Sequence, residues 1–441
     1  MPRIVHLGAG NFFRALPAAY TQAAGGDWRI TGVSFRSAAV RDALAPQGFD
    51  YSLVVRSAEG ERIDRIGIID SILVAPEDPG AVLSAIADPE TAIVTITATE
   101  KAYALAPSGG LDLAHPDIVA DLAGGPPGSL IGTLARGLAG RDAPVTVISC
   151  DNLPDNGPRL ARAVADFARA AGLTLPPGLA FPATMVDRIT PRTTDALRDH
   201  VAAATGFADR APVETEAFSE WVIEDAFAGP RPDWEAAGAQ IVADVVPHER
   251  RKLRMLNGAH SALAYLGTLA GHRSVHQAVA DPGLRRVVGG LMDDAARTLG
   301  GLDPAAAGAY RDALLARFAN PALDHRLMQI AQDGSQKLPI RLLAPAQDLM
   351  GRGQEAAAHA EAVAGWVAFV IRQAQAGIPL DDPMHAALAE AAQASGDPAT
   401  ALLALIYDAP LPAHFVESVS ARAAALGAQA RGSDAQGSQL S

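Results

Sequence analysis

Two different patterns of apolar residues divide the chain. Between residues 3 and 150, short apolar runs rich in β-branched residues alternate with helical patterns; the runs are RIVHLG, RITGVSF, YSLVVRS, AIVTITATE and PVTVISCDN. Alternation of strand and helix on this scale predicts a parallel sheet with helices on both faces. We therefore predict a doubly wound α/β domain in the first half of the chain.

The pattern changes after about residue 245. Apolar residues then recur at spacings of three and four in the stretches 250–270, 284–298, 356–376 and 384–395. This period is typical of amphipathic helices. We predict a domain over 1–245 followed by a mainly α-helical domain over 246–431. Residues 432–441 lack apolar periodicity and are expected to be disordered.

Composition narrows the possible functions. The chain has 441 residues, which suits two domains better than one core. It carries 36 basic and 49 acidic residues, a formal charge of −13, so a general attraction to nucleic acid or to an anionic membrane is not expected. An anionic ligand would therefore need a local set of positively charged groups.

The expected compartment is the cytoplasm. Cys150 is the only cysteine, so no intrachain disulfide can form. The first predicted strand begins close to Met1 and leaves no room for a signal peptide. No uncharged apolar run reaches the roughly 18 residues that a membrane span needs.

The N-terminal run IVHLGAGNFFRA raises the first chemical question. An apolar strand leads directly into Gly8 and Gly10, and a helical stretch follows. Glycines at this spacing allow a tight turn and a close approach to a pyrophosphate, as in a Rossmann-type dinucleotide site. Phe13 replaces the usual third glycine, so we expect the helix to pack differently on the sheet. Arg14 could reach a phosphate. A purely structural turn is the alternative, and the strand–helix alternation favours the cofactor site.

The end of the second predicted strand leaves the cofactor's phosphate state open. Many dinucleotide sites place an acidic residue there to bind the ribose hydroxyls. In this chain, Arg36 and Ser37 follow the strand. A guanidinium at this point could stack on adenine, bind a 2′-phosphate or lie in solvent. NAD and NADP are both compatible with this arrangement.

The segment VVPHERRKLRMLNGAHSALAYLG, residues 245–267, contains the richest group of polar residues. At about 100° per residue in an α-helix, one half of the helix carries Glu249, Lys252, Asn257 and His260. Leucines form the neighbouring stripe, so this half is not simply a solvent-facing surface. Buried polar groups need partners.

These residue types suit the oxidation of an alcohol. A lysine in a closed apolar site has a pKa below the usual value of about 10.4, so it can act as a general base. Asn257 and His260 can hydrogen bond to the alcohol or carbonyl oxygen, and Glu249 could pass protons to solvent. The alternative is a surface lysine with a capping glutamate and satisfied core Asn and His side chains. The spacing alone does not exclude it.

Two competing chemistries have little support in the sequence. Zinc-dependent alcohol oxidation needs three or four Cys, His or carboxylate ligands. The nearest pair, His272 and His276, has no cysteine or carboxylate cluster around it. No nucleophile elbow or Ser-His-Asp order is present, which argues against a hydrolase. No metal site is therefore predicted.

Motifs along residues 3–420 resemble those of the polyol-specific long-chain dehydrogenases, the mannitol dehydrogenase family, which includes mannitol 2-dehydrogenases and fructuronate reductases. The most specific is the Lys-x4-Asn-x2-His spacing. The others are GxGNFxRA near the N-terminus, SCDN at 149–152, TMVDRITP at 184–191, FSEWVIEDAF at 218–227, and DGSQKLPIR at 333–341.

The resemblance implies roles for the residues of the lysine segment. Lys252 matches the family's general base, and Asn257 and His260 match its contacts to the substrate oxygen. Glu249 matches the gate of the proton path. Asn152 matches a second oxyanion-stabilising asparagine, with Asn156 as the less favoured candidate.

The resemblance also implies the cofactor and substrate contacts. Asp187 matches an aspartate near cofactor and substrate, and Lys337 matches a substrate-binding lysine. The family uses NAD and no metal. The predicted cofactor-binding residues are Gly8, Gly10, Asn11, Phe12, Arg14, Arg36 and Asp187.

The substrate prediction rests on local departures from the mannitol enzymes. These often have an arginine eight residues before the lysine that matches Lys337, and this chain has Gln329 there. Lys337 and Arg341 could bind a substrate carboxylate. We predict interconversion of D-mannonate and D-fructuronate, with mannitol, fructose or arabinitol as alternative substrates.

Two other classes of function fit these residues less well. A nucleotide-binding sensor would not need the Lys-Asn-His group, and a Rossmann-type transferase would need another donor. The sequence is compatible with a monomer or a homodimer.

Overall fold

The computed structural model describes residues 2–57, 59–106, 109–301, 303–321 and 325–437. The chain divides into two compact units, Met1–Val246 and Pro247–Ser441. The division lies beside the change of apolar pattern near residue 245.

The first unit is built on a parallel sheet. Its strands are β1 Arg3–Leu7, β2 Arg29–Ser34, β3 Tyr51–Ser57, β4 Gly60–Ile66, β5 Ile69–Val74, β6 Thr91–Ile96, β7 Val145–Ser149, β8 Leu179–Ala180, β9 Thr184–Asp187, β10 Val213–Glu216, β11 Glu220–Glu224 and β12 Gln240–Val242. The main sheet has six strands in the order β5-β2-β1-β6-β7-β8, and all neighbouring pairs are parallel.

Both faces of this sheet are buried. Ile4 and Ile93 belong to one apolar core, whereas the adjacent Val5 and Val94 belong to another on the opposite face. Successive strand residues point to opposite faces, so burial on both sides produces continuous apolar runs. The helices of this unit are α1 Asn11–Ala15, α2 Pro17–Ala24, α3 Ala39–Leu44, α4 Pro79–Ala87, α5 Pro116–Leu122, α6 Leu130–Ala139, α7 Asn156–Ala170 and α8 Asp195–Thr205. The predicted Rossmann-type fold is confirmed.

Two small sheets flank the main one, in the orders β10-β3-β4 and β12-β11-β9. The run YSLVVRS is a strand, as predicted, but it does not join the main parallel sheet. It forms β3, which pairs antiparallel with β4 along its whole length. The hairpin turns before Gly60, whose φ is +140°, a conformation that favours glycine.

The second unit is helical. Its helices are α9 Val246–Arg251, α10 Gly258–Leu269, α11 Val275–Ala280, α12 Pro282–Arg297, α13 Pro304–Phe318, α14 Leu327–Ile330, α15 Gly334–Leu338, α16 Ala344–Gly351, α17 Ala357–Gln375, α18 His385–Ala391, α19 Pro398–Ile406 and α20 Ala413–Gly437. Two π-helical segments interrupt them, Lys252–Asn257 and Pro339–Leu343. Helix α17 lies in the middle and packs against α10, α12, α19 and α20. This unit confirms the predicted helical domain.

The end of the chain differs from the expectation. Helix α20 continues through residue 437, although the sequence predicts disorder from residue 432. Residues 438–441 lie outside the described residues.

Candidate active site

The first glycine of the N-terminal motif is required by the protein itself. Gly8 follows β1 with a φ of +107°, and a Cβ there would lie 2.1 Å from the carbonyl oxygen of Thr97. The Gly8 N–H donates to the carbonyl of Val33 at 2.9 Å. The turn is thus held between the ends of β2 and β6. In open parallel sheets, ligands bind at this kind of edge, outside the carboxyl ends of the strands.

The second glycine has a different explanation. A Cβ at Gly10 would have nothing nearer than the carbonyl oxygen of Gly8, at 4.0 Å. No contact within the described residues therefore demands glycine at this position. A bare backbone at the start of a helix instead allows a pyrophosphate to approach closely. The two glycines fit a dinucleotide cofactor.

Phe13 stands where the third glycine of the motif is expected. Its ring is fully buried and stacks on the imidazole of His6, with ring centroids 3.7 Å apart and an angle of 11° between the planes. His6 shares hydrogen bonds with Thr95 Oγ1 at 2.7 Å and Thr97 Oγ1 at 2.9 Å. Burial lowers the pKa of His6 to about 3, so its ring is neutral. Stacked rings thus fill the space between helix and strand.

Arg14 does not have the position expected of a phosphate ligand. Its guanidinium is buried and donates to Asn11 Oδ1 at 2.6 Å and to the carbonyl of Ala211. Asn11 Nδ2 donates to the carbonyl of Pro191 at 3.0 Å and to Thr193 Oγ1 at 3.1 Å. Both side chains therefore tie α1 to neighbouring loops. We correct the interpretation of Arg14 to a structural role.

Phe12 and Arg36 lie at different depths. Phe12 is half-buried against the core that contains Phe13. Arg36 is exposed after β2, and the structure gives its guanidinium no ion pair with a described residue. Arg41 on α3 pairs with Glu77. Of Arg36 and Arg41, Arg36 therefore has the more accessible guanidinium.

The SCDN motif forms the loop after β7. Asn152 is exposed there, whereas Asn156 is fully buried. Asn156 Nδ2 donates to the Thr184 carbonyl at 3.1 Å, and its Oδ1 accepts from the Thr184 N–H at 2.9 Å. Asn156 therefore joins α7 to β9, which leaves Asn152 as the better placed candidate for a ligand.

Asp187 ends β9 and is buried. It lies opposite Glu220 in the antiparallel pairing of β9 with β11. The next residue, Arg188, donates to the carbonyls of Ala15 and of Glu216, the latter at 3.2 Å. The segment VDR is thus bound to the end of α1.

In the second unit, Lys252 is the first residue of the π-helical segment Lys252–Asn257. Lys252 is 6% exposed and His260 is 8% exposed, while Glu249 and Asn257 are half-buried. π-Helical segments within helices are rare and are frequent at functional sites. The constant α-helical angle used for the sequence does not apply across this segment.

His260 lies in a positively charged environment. Its ring centroid is 4.5 Å from that of Phe318 and 5.2 Å from that of His325. Burial, first of all, holds the pKa of His260 well below its usual value, and nearby positive charges lower it further: His325, Arg317, Arg341 and Lys252. The imidazole of His260 is therefore neutral near pH 7 and can donate or accept a hydrogen bond.

Arg341 lies beside the same helix. It belongs to the second π-helical segment, and its guanidinium donates to Ser261 Oγ at 3.2 Å. A Cβ at Gly258 would lie 3.2 Å from the Arg341 carbonyl oxygen. The second π-helical segment thus packs against the start of α10 and places Arg341 near His260. Lys252 also lies close enough to His260 to lower its pKa.

The other predicted substrate contacts lie farther along the chain. Lys337 is half-buried, and its ammonium donates to the carbonyls of Gln332 at 2.5 Å and Ile330 at 3.4 Å. It lies 4.0 Å from the Asp333 carboxylate. These bonds tether Lys337 to the turn before α15. Gln329 is exposed on α14.

Sequence reasoning missed some of the residues around these groups. His325 and Arg317 surround His260, and Tyr103 contacts the SCDN loop. Apolar periodicity gives no signal for these residues, because the fold brings each of them to a partner that is distant in the sequence. Within the described ranges, no three His, Cys, Asp or Glu side chains form a candidate metal site. Among the helices in the described residues, none is long and apolar enough to cross a membrane.

The parallel sheet and the glycine turn at its edge are typical of a dehydrogenase of the Rossmann type. Comparison with known families narrows this class. The family model for the mannitol dehydrogenase Rossmann domain matches residues 2–236, and that for the mannitol dehydrogenase C-terminal domain matches residues 244–426. The chain belongs to the mannitol dehydrogenase family. The predicted enzyme class, a dehydrogenase that acts on CH–OH groups, is confirmed.

Individual relatives carry different substrate names. D-mannonate oxidoreductase of Escherichia coli is 41% identical over 95% of this chain and 92% of its own length. Mannitol 2-dehydrogenase of Pyrenophora tritici-repentis is also 41% identical, over 76% of this chain and 63% of its own length. Identity alone therefore does not choose between the two substrates.

A solved relative shows the family's cofactor. The ternary complex of Pseudomonas fluorescens mannitol 2-dehydrogenase with NAD and D-mannitol matches with a TM-score of 0.81 at 33% identity, over 96% of this chain and 92% of that one. The NAD prediction for this chain agrees with that complex.

Proposed function

We propose that this protein is an NAD-dependent oxidoreductase that interconverts the secondary alcohol of D-mannonate and the ketone of D-fructuronate. The observation that carries the proposal is the group formed by the buried Lys252, the buried and neutral His260 and the half-buried Arg341. It combines a candidate base, a hydrogen-bonding group and a cation within one region of the second unit. The Gly8–Gly10 turn supports the cofactor assignment.

The proton steps are assigned to the chain's own residues. In the oxidation direction, the neutral form of Lys252 is the general base, and its Nζ accepts the hydroxyl proton of the substrate. Asn257 and Asn152 donate hydrogen bonds to the developing alkoxide. Glu249, half-buried one turn before Lys252, passes the proton toward solvent. NAD, when bound, supplies the hydride acceptor.

His260 has a separate part in this scheme. A protonated imidazole would add a charge beside Lys252 and Arg341. Because its burial keeps it neutral, it can donate a hydrogen bond to the substrate oxygen without adding that charge. Its edge contact with His325 limits the orientations open to the ring.

The sugar-acid assignment rests on local charge. The chain as a whole carries −13 and repels a carboxylate, so an anionic substrate needs a cation in the site. Arg341 beside His260 meets this need, because a guanidinium can bind a carboxylate through two parallel hydrogen bonds. Arg317 adds positive charge in the same region.

The negative charge of the chain also favours NAD over NADP. A 2′-phosphate needs more than one cation to bind well in an acidic protein. Arg36 is exposed at the appropriate strand end, but the neighbouring Arg41 is engaged with Glu77. One accessible arginine is a weak site for that phosphate.

A neutral polyol is the second candidate substrate, because a mannitol 2-dehydrogenase is as similar in identity as the D-mannonate enzyme. The test is a panel of D-mannonate, D-altronate, mannitol, arabinitol and sorbitol, each with NAD and with NADP, followed by nicotinamide absorbance. We expect reduction of NAD with D-mannonate. Reduction of NAD with a neutral polyol but not with D-mannonate would overturn the sugar-acid assignment.

A further inference from the structure

The carboxylate of Asp151 is the centre of a buried hydrogen-bond network beside Asn152. Asp151 is 7% exposed, and Tyr103 and Ser149 are fully buried. Ser149 Oγ donates to Asp151 Oδ2 at 2.6 Å, and the Leu153 N–H donates to Oδ1 at 3.0 Å. The Tyr103 hydroxyl also donates to Oδ2. One carboxylate thus accepts hydrogen bonds from both sides of Asn152.

This pattern fixes the backbone around a single exposed side chain. The donors Ser149 and Leu153 lie two residues before and two residues after Asp151. Cys150 and Leu153 are buried, so the loop is anchored on either side of Asn152. Asn152 itself is exposed, and the position of its side chain depends on the backbone that the carboxylate holds.

Tyr103 connects this loop to the neighbouring strand. It ends a short 3₁₀ helix, Glu100–Tyr103, which follows β6, and β6 pairs with β7 in the main sheet. Burial, followed by the charge of Asp151, raises the pKa of Tyr103 well above its usual value, so the hydroxyl stays protonated and remains a donor. The network therefore joins the carboxyl ends of two adjacent parallel strands, the edge at which such sheets bind ligands.

We propose that Tyr103 and Asp151 are positioning residues that hold the SCDN loop so that the Asn152 amide is aimed at the substrate oxygen. The inference rests on the proposed function, in which Asn152 donates to that oxygen. Both residues act through Asn152 and touch neither substrate nor cofactor. A displacement of about 1 Å at a reacting group can lower the rate about a hundredfold. Loss of a hydrogen bond in this network is therefore expected to lower kcat measurably.

The test is a double-mutant cycle between Tyr103→Phe and Asn152→Ala, measured with whichever panel substrate turns over fastest. Tyr103→Phe keeps the ring and removes only the donor. We expect it to lower kcat about ten- to hundredfold and to leave the cofactor Kd unchanged. In the Asn152→Ala background, we expect almost no further loss, because residues that act as a unit are non-additive.

Tyr20→Phe is the matched control. Tyr20 is also buried, and its hydroxyl shares a hydrogen bond with Ser219 Oγ at 3.0 Å, away from the SCDN loop. We expect a similar change in Tm for both tyrosine variants but a change in kcat for Tyr103→Phe only. If Tyr103→Phe does not fold, Asp151→Asn takes its place in the same cycle.

The outcomes separate the inference from the function on which it rests. Unchanged kcat in Tyr103→Phe, or a full further loss in the Asn152→Ala background, overturns the positioning role while leaving Asn152 as a substrate contact. Unchanged kcat in Asn152→Ala removes Asn152 from the proposed mechanism and the positioning role with it.

Discussion

The guanidinium of Arg341 donates a hydrogen bond to Ser261 Oγ at 3.2 Å, and Ser261 follows His260 on α10. The positive charge of Arg341 therefore lies beside the residue that follows His260, whose imidazole is proposed to bind the substrate oxygen. A guanidinium has donors in a fixed fork, and this geometry suits a carboxylate. The substrate assignment depends on this arrangement.

Replacement of this guanidinium should therefore discriminate between substrates. We expect Arg341→Gln to lower kcat/KM for D-mannonate about ten- to hundredfold, the usual effect of losing a hydrogen bond to a charged group, and to change kcat/KM for neutral polyols much less. Arg286→Gln, an exposed site on α12, is the control for the loss of one positive charge. Equal losses for both substrate types would argue against carboxylate recognition by Arg341.

Lys252→Ala tests the base. We expect kcat to fall about 10²- to 10⁴-fold, the range for a general acid or base. The Kd for NADH should stay nearly unchanged, because the glycine turn belongs to the other unit. Steady-state rates across the pH range and a direct cofactor titration check both parts. A loss of less than about tenfold at every pH would remove Lys252 from the mechanism.

The two glycines of the turn should respond differently to alanine. Gly8→Ala brings a Cβ to 2.1 Å from the Thr97 carbonyl oxygen, so we expect it to destabilise or misfold the first unit. Gly10→Ala meets no atom within 4 Å other than the Gly8 oxygen, so we expect a folded protein with at least tenfold weaker NADH binding. Thermal unfolding and cofactor titration measure the two effects. NADH binding of normal strength in Gly10→Ala would place the pyrophosphate elsewhere.

The buried His6 predicts a pH dependence of stability. Its pKa is about 3 in the folded protein, because of burial, and about 6.5 in the unfolded chain. The unfolded state binds more protons between these values, so the free energy of unfolding falls as the pH drops below about 6.5, by about 1.4 kcal/mol per pH unit. We expect a shallower fall of Tm with decreasing pH in His6→Gln. The exposed His414→Gln should keep the original slope, and equal slopes in both variants would contradict the assignment.

The local motifs could be predicted from the sequence, because they depend on residues that are close together in the chain. The strand–Gly8–Gly10–helix order is of this kind, and so is the Lys252, Asn257, His260 spacing. The parallel sheet follows from the alternation of strand and helix. Assignment of YSLVVRS to the main sheet was wrong, because the local pattern of a strand does not say which strand pairs with it.

Contacts between distant residues could not be predicted in this way. The bond from Arg14 to Ala211 joins residues 197 positions apart, and that from Tyr103 to Asp151 joins residues 48 positions apart. The first contact buries an arginine that the motif alone places near a phosphate. The π-helical segment at Lys252 also has no signature in apolar spacing, since it changes the hydrogen-bond register of the backbone rather than the residue pattern.

The central claim is that the enzyme acts on a sugar acid. The most direct test compares kcat/KM for NADH oxidation with D-fructuronate and with D-fructose under the same conditions. We expect a higher kcat/KM with D-fructuronate, because its carboxylate can pair with Arg341. A higher value with D-fructose would contradict the sugar-acid assignment and leave the chain as a polyol dehydrogenase of the same family.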